Sequence, residues 1–259
     1  MSSDKAYQTH VYKDVVFIIY QCTDGMNYDF VDRACELIDF TLTKSKRVLK
    51  IRFDLHIKSN PNDNKLMSLF QKQLRREIAK LDHHGHYPIF EFMWVREQNT
   101  SPYPHYHCCL FLNNNAFRSD FNILKIARRL WLELAGGTIP YLSDNTYILR
   151  LDDPKTLQRA IYRVSYLAKW HGKKRGAPYR HFGSTNSKPN ESSSWTSSNK
   201  NSECEVTLSS IPYTLDPTSS ISTPKYFSIG NLNIETSYPW LKQLLQLGHS
   251  YPDLNQKPP

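Results

Sequence analysis

Apolar and polar residues alternate strictly over 47–58, where Ile51, Phe53, Leu55 and Ile57 stand against Arg52, Asp54, His56 and Lys58. A period of two predicts a half-buried strand. The period then changes. Leu66, Leu69, Phe70, Leu74 and Ile78 share one face of a predicted helix over 65–81, opened by the break Asn60-Pro-Asn-Asp-Asn64 and closed by Gly85. Strands follow over 88–96 and 105–112, joined by the turn-rich stretch 98–104. A helix over 120–134 carries Phe121, Leu124, Ala127, Leu130 and Trp131 and stops at Gly136-Gly137. Next come a strand over 146–151 and a helix from Asp152-Asp153-Pro154 to about Trp170, whose acids and proline suit a helix N-terminus. Upstream, 14–21 reads as a short strand or a docking segment and 28–44 as a helix.

From residue 47 the order is β-α-β-β-α-β-α. It predicts an α+β domain with an antiparallel sheet of ferredoxin-like or RRM-like kind. The expected domain is 1–183, with its core at about 45–183 and an N-terminal extension at 1–44. At 184 the composition turns to serine, threonine and asparagine, too little apolar surface to offset chain entropy. Residues 184–259 are therefore expected to be a low-complexity linker and a flexible C-terminal tail. Within them, 238–247 is a short amphipathic segment that reads as packing back or weakly ordered.

Charge sharpens the picture. The chain of 259 residues carries a net +9, and the excess is unevenly placed. Residues 1–183 hold 28 Lys+Arg against 18 Asp+Glu, whereas 184–259 hold 5 against 6. A basic folded part favours a polyanionic partner, nucleic acid first. The five cysteines lack paired spacing, which fits a reduced, cytoplasmic setting. No signal-peptide core opens the chain, and the early apolar run Val15 to Tyr20 is too short to cross a bilayer, so no membrane partner is expected.

Two histidines, His105 and His107, head the apolar run Cys108-Cys-Leu-Phe-Leu112. Alternation points both rings to one face of the strand. Glu97, eight positions earlier, ends the preceding strand, so a hairpin brings it alongside. Two nitrogens and a carboxylate suit Mg²⁺ or Mn²⁺ with open positions. Glu91 and His56 are reserve candidates for the third ligand. An ordinary hairpin with surface histidines would use the same residues. The other His-x-His, His84 to His86, sits at a helix end, where histidines commonly meet the last carbonyls. Further on, Tyr162, Tyr166 and Lys169 are spaced to share a helical face away from the stripe Leu157, Ile161, Val164 and Ala168. A free phenol is only about one part in a thousand ionised at pH 7. A lysine cation and a divalent metal both favour the phenolate. Its attack on a phosphodiester would leave a 5′-phosphotyrosine and a free 3′ hydroxyl.

Glu97…His105-Tyr-His107 followed by Tyr162-x₃-Tyr166-x₂-Lys169 resembles the HUH endonucleases, the rolling-circle replication initiators. Trp94-Val-Arg-Glu97…Pro104-His-Tyr-His-Cys-Cys-Leu-Phe-Leu-Asn113 is similar to the inovirus replication-protein family, also met as YagK/YfjJ-type proteins of bacterial prophages. The likeness covers roughly 45–183. It implies the HUH fold and a metal-dependent enzyme that nicks and joins single-stranded DNA at a phage replication origin, with a host helicase and polymerase as further partners. His105, His107 and Glu97 are then the metal ligands, Tyr166 the nucleophile, Tyr162 the second tyrosine and Lys169 the accompanying lysine. Two other readings compete. A non-catalytic RRM-like protein would hold single strands by stacking and charge on its sheet face. A cupin-like or iron(II) oxygenase site also uses two histidines and a carboxylate, but cupins place a glutamate soon after His-x-His, and here the next is Glu133.

Overall fold

The computed structural model describes residues 8–189 apart from positions 14 and 175. The chain opens with a hairpin, β1 (Gln8–Tyr12) and β2 (Val15–Ile19), followed by α1 (Tyr28–Lys44), β3 (Arg47–His56) and α2 (Lys65–Ile78). Then come β4 (Phe90–Glu97), β5 (His105–Asn113), α3 (Phe121–Ala135), β6 (Thr146–Arg150), α4 (Pro154–Ser165), a 3₁₀ turn (Tyr166–Ala168) and β7 (Phe182–Ser184). The predicted α+β class holds. The five-stranded sheet is antiparallel with order β6-β3-β5-β4-β7, so its first four strands have the ferredoxin-like arrangement.

That order explains the layers. β3 and β4 run parallel with β5 between them, so α2 crosses over one face, and α3 crosses the same face between β5 and β6. Leu49, Ile51, Phe53 and Leu55 of β3 meet Phe92, Tyr106, Leu110, Phe70 and Trp131 there in one core. An RRM would leave the opposite face open. Here α1 and α4, backed by the β1-β2 hairpin, cover it with a second core built on Phe30, Leu37, Ile38, Ile161 and Val164. The sheet is thus buried on both sides, and the polar row of β3 is only partly solvated: His56 is exposed, but Asp54 is 7 % and Lys50, on the same face, 1 % exposed. Cys108 and Cys109 do face opposite cores, and they, Cys22 and Cys35 are free thiols.

Local signals account for most element ends. The Asn27 side chain caps α1, accepting from Phe30 N. Asp153 caps α4 ahead of Pro154. Gly136, at φ 57, ends α3 in the left-handed conformation a non-glycine residue resists. Four expectations change. The strand β1 was not anticipated. α2 ends at Ile78 rather than 81, and it is His83, not His84 or His86, whose ring reaches its carbonyl, at 3.4 Å from Ile78 O. α4 stops at Ser165 instead of near Trp170, giving way to the 3₁₀ turn. The boundary after 183 falls inside β7, an unpredicted strand pinned beyond its end. Thr185 N donates to Phe92 O at 2.9 Å. Ser187 Oγ donates to Glu91 at 2.8 Å, and Arg33 donates to Ser187 O at 2.8 Å. The segment 238–247 lies outside the described residues. Among those described, no helix is long and apolar enough to cross a membrane.

Candidate metal centre and tyrosine

Register builds the cluster. Glu97 on β4 lies directly opposite His105 on β5, and Asp54 on β3 directly opposite His107. All four side chains belong to the face beneath α1 and α4, because alternation from the buried positions Val48, Val95 and Cys109 carries them there. Glu97 Oε2 is 2.8 Å from His107 Nε2 and 3.6 Å from His105 Nε2, and the two Nε2 atoms are 3.2 Å apart. Ligand atoms of the three residues lie within 4.8 Å of one another, the single such group among the described residues. The reserve candidates stand apart from it. Glu91, on the same strand as Glu97, is buried against Thr185 and Ser187. His56 is exposed, its ring 5.7 Å from that of His105.

The 3₁₀ turn delivers the tyrosine. Helical backbone ends at Ala168; Asn27 N bonds Ala168 O at 2.7 Å and Trp170 N bonds Gly25 O at 3.0 Å, tying the turn to the loop before α1. Lys169 Nζ then reaches both ways. It donates to the Tyr166 hydroxyl at 2.8 Å and stands 3.6 Å from Glu97 Oε1. The two distances bound the Tyr166 oxygen at no more than about 6.4 Å from that carboxylate oxygen. Tyr166 is half-buried, edge-on to Tyr20 at 4.9 Å, so it packs on the core rather than standing free. Tyr162 is half-buried one turn earlier, its carbonyl accepting from Ser165 Oγ at 2.8 Å. Because α4 ends between them, Tyr162, Tyr166 and Lys169 do not form one continuous α-helical face.

Three participants escaped the sequence reading. Asp54 Oδ1 is 2.9 Å from His107 Nδ1, so a carboxylate stands as a counter-charge against the ring's far side. Lys173 Nζ, 3 % exposed, is 3.6 Å from Glu97 Oε1. Gly172, at φ +74, lies against the Glu97 side chain, and any Cβ there would sit 2.7 Å from Glu97 Cγ. Asp54 stood in the polar row of β3 opposite the histidine strand, so the signal was present. Lys173 and Gly172 lie in an irregular loop with no periodicity to place them.

Electrostatics ties these groups together. Burial pushes the Glu97 carboxyl up, but bonds to His105 and His107 and the charges of His107 and Lys173 more than offset it, holding it well below the usual range. Asp54 is likewise raised by burial yet held at about 2 by His107 and Arg52. Burial opposes the charge on His107, while Asp54 and Glu97 raise its pKa overall. Burial is the main reason Lys173 falls to about 8, with Glu97 acting the other way. Burial also works against Lys169, but Glu97 and the Tyr166 bond raise it.

The donor set fits a divalent cation. Two Nε2 atoms 3.2 Å apart need a proton or a cation between their lone pairs. Glu97 Oε1 is buried without a hydrogen-bond donor among the described residues, although two ammonium groups stand near it. The sequence profile of the YagK/YfjJ C-terminal domain matches residues 12–185, well over half of the chain. The chain belongs to the YagK/YfjJ C-terminal domain family. No curated protein and no solved structure matches it. The YagK/YfjJ span reaches back past 45 to Tyr12, so it takes in α1, and forward through β7 to Thr185.

Proposed function

We propose that this YagK/YfjJ-family protein is a metal-dependent HUH-type endonuclease that nicks and rejoins single-stranded DNA by tyrosine attack, starting rolling-circle replication of a phage or prophage. One observation carries the reading: a lysine bonded to a tyrosine hydroxyl also faces the carboxylate of a His-His-Glu cluster, on one face of the sheet. Charge adds support. Glu97 and Asp54 face Lys169, Lys173 and Arg52, so the cluster is cationic even before a metal enters and calls for an anionic substrate such as a phosphodiester.

Glu97, His105 and His107 would hold Mg²⁺ or Mn²⁺, which when bound withdraws charge from a phosphate oxygen as a Lewis acid. Lys169 and Lys173 offer the same phosphate two ammonium groups and hold it near Tyr166. The Tyr166 oxygen forms a new bond to phosphorus as the bond from phosphorus to the 3′ oxygen breaks. The phenol gives up one proton and the departing 3′ oxygen takes up one. The 5′-phosphotyrosine retains the phosphoester energy, so attack by a 3′ hydroxyl reverses the step and rejoins the strand. Tyr162 would serve a second transfer. The freed 3′ hydroxyl would prime a host polymerase working with a host helicase. The competing RRM-like binder lacks its surface, since α1 and α4 close the sheet face that would stack bases.

The test is incubation of the full chain with labelled single-stranded oligonucleotides tiling the DNA around its gene, in Mn²⁺, with and without EDTA. A protein-linked band on a denaturing gel is expected in Mn²⁺ only and should vanish with Tyr166→Phe. Adduct that persists in Tyr166→Phe, Tyr162→Phe and the double variant defeats the mechanism.

A further inference from the structure

Around the end of β4, past Glu97, lies a polar cleft of about 320 Å³. Arg96 lies in its wall, and Asn60, Asn62, Gln98, Lys174 and Tyr179 surround it; none of its lining residues is acidic. Arg96 is 1 % exposed. Its Nη2 donates to Asn60 Oδ1 at 2.9 Å, while Nε and Nη1 are buried with no hydrogen-bond acceptor among the described residues. Its guanidinium lies 3.7 Å from the centre of the Tyr179 ring. A buried guanidinium with unfilled donors weakens a fold that an apolar side chain would serve better, so an acceptor from outside is the simplest account of it.

The cleft adjoins the cluster through two residues. Gln98 follows Glu97 directly and takes part in the cleft wall, and its N–H bonds Gly172 O at 2.8 Å. Gly172 in turn touches both the cleft and the Glu97 side chain. Three carboxamides (Asn60, Asn62 and Gln98) and two cations (Arg96 and Lys174) beside the Tyr179 ring match what an unstacked nucleotide offers: acceptors on its base edge, a π-face and a phosphate. We infer that this cleft seats one nucleotide of single-stranded DNA beside the scissile phosphate, its base against Tyr179 and its acceptors on Arg96, and so sets part of the sequence preference. The inference rests on the nicking reading for its substrate.

The test separates the two. The full chain carrying Tyr166→Phe, in lithium buffer with EDTA, is titrated against short fluorescein-labelled single-stranded homopolymers of each base, read by fluorescence anisotropy. Unequal affinity for the four is expected. Tyr179→Ala should weaken the preferred one by about 5- to 150-fold, the range for losing one base-stacking aromatic, and both it and Asn62→Ala should level the four. Arg96→Lys, which keeps the charge without the planar fork, should also level them. His86→Ala, exposed on the turn after α2, is the control, and melting curves show that each variant folds. Equal affinity for all four bases in the parent, or a loss in the cleft variants that is the same for every base, overturns the subsite. If instead the wild-type chain forms no adduct while the base-selective losses remain, the nucleotide seat stands and only the nicking reading falls.

Discussion

Gly172→Ala isolates the placement of Glu97. A methyl at this position would lie 2.7 Å from Glu97 Cγ and 3.3 Å from its Cδ and Oε1. Carbon atoms settle at about 3.5–4.0 Å, so the glutamate must retreat by roughly 1 Å. Its Oε2 lies 2.8 Å from His107 Nε2, and a retreat of that size breaks the contact and spreads the ligand atoms. Mn²⁺ affinity should fall about 10- to 100-fold, the range for disturbing what supports a metal ligand. Alanine at positive φ adds a backbone penalty of roughly 1–2 kcal/mol, or about 2–8 °C in Tm for a domain of this size. Gly85→Ala measures that penalty alone, because Gly85 also has φ +74 and nothing within 4 Å of an added Cβ. Calorimetric titration of the full chain with Mn²⁺, beside thermal melting, reads both effects. A folded Gly172→Ala that binds Mn²⁺ as tightly as Gly85→Ala refutes the reasoning.

Further outcomes follow from the same cluster. Mn²⁺ at a hundred times its Kd should stabilise the fold by about 2.7 kcal/mol, raising Tm by roughly 5–11 °C; an equal rise in Glu97→Gln would exclude Glu97 as a ligand. Asp54→Asn should weaken Mn²⁺ about 10- to 100-fold by releasing the His107 ring, and unchanged affinity would remove Asp54 from the site's support. Thr185→Val strips the buried Glu91 of one donor and should destabilise by about 1–3 kcal/mol in denaturant unfolding; no change would mean that β7 is held by other contacts.

How far the chain's pattern reached depended on periodicity. Arg47–His56 and His105–Asn113 carry long alternating or apolar runs, and both strands formed within two residues of expectation. The same alternation misjudged burial: Lys50 and Asp54 lie beneath α1 and α4, since a polar row tells which side chains share a face but not what covers it. Phe182–Ser184 is too short for a period to register, and Gln8–Tyr12 opens on three polar residues; pairing with Met93–Val95 and with Val15–Ile19 defines them instead. Glu97, His105 and His107 were legible because a hairpin is local. Lys169 was found by its spacing to Tyr166, yet its role as a link to Glu97 depends on a turn that no short-range pattern encodes.

Because Asp54, His107, His105 and Glu97 face one another across three neighbouring strands buried on both sides, the pocket's shape is the sheet's own pairing. Slipping either pair by one residue would turn these side chains through to the opposite core. Their backbone amides should therefore exchange with deuterium only when the whole domain opens. An arriving ion would meet a seat assembled in advance, and capturing it would freeze out little additional motion.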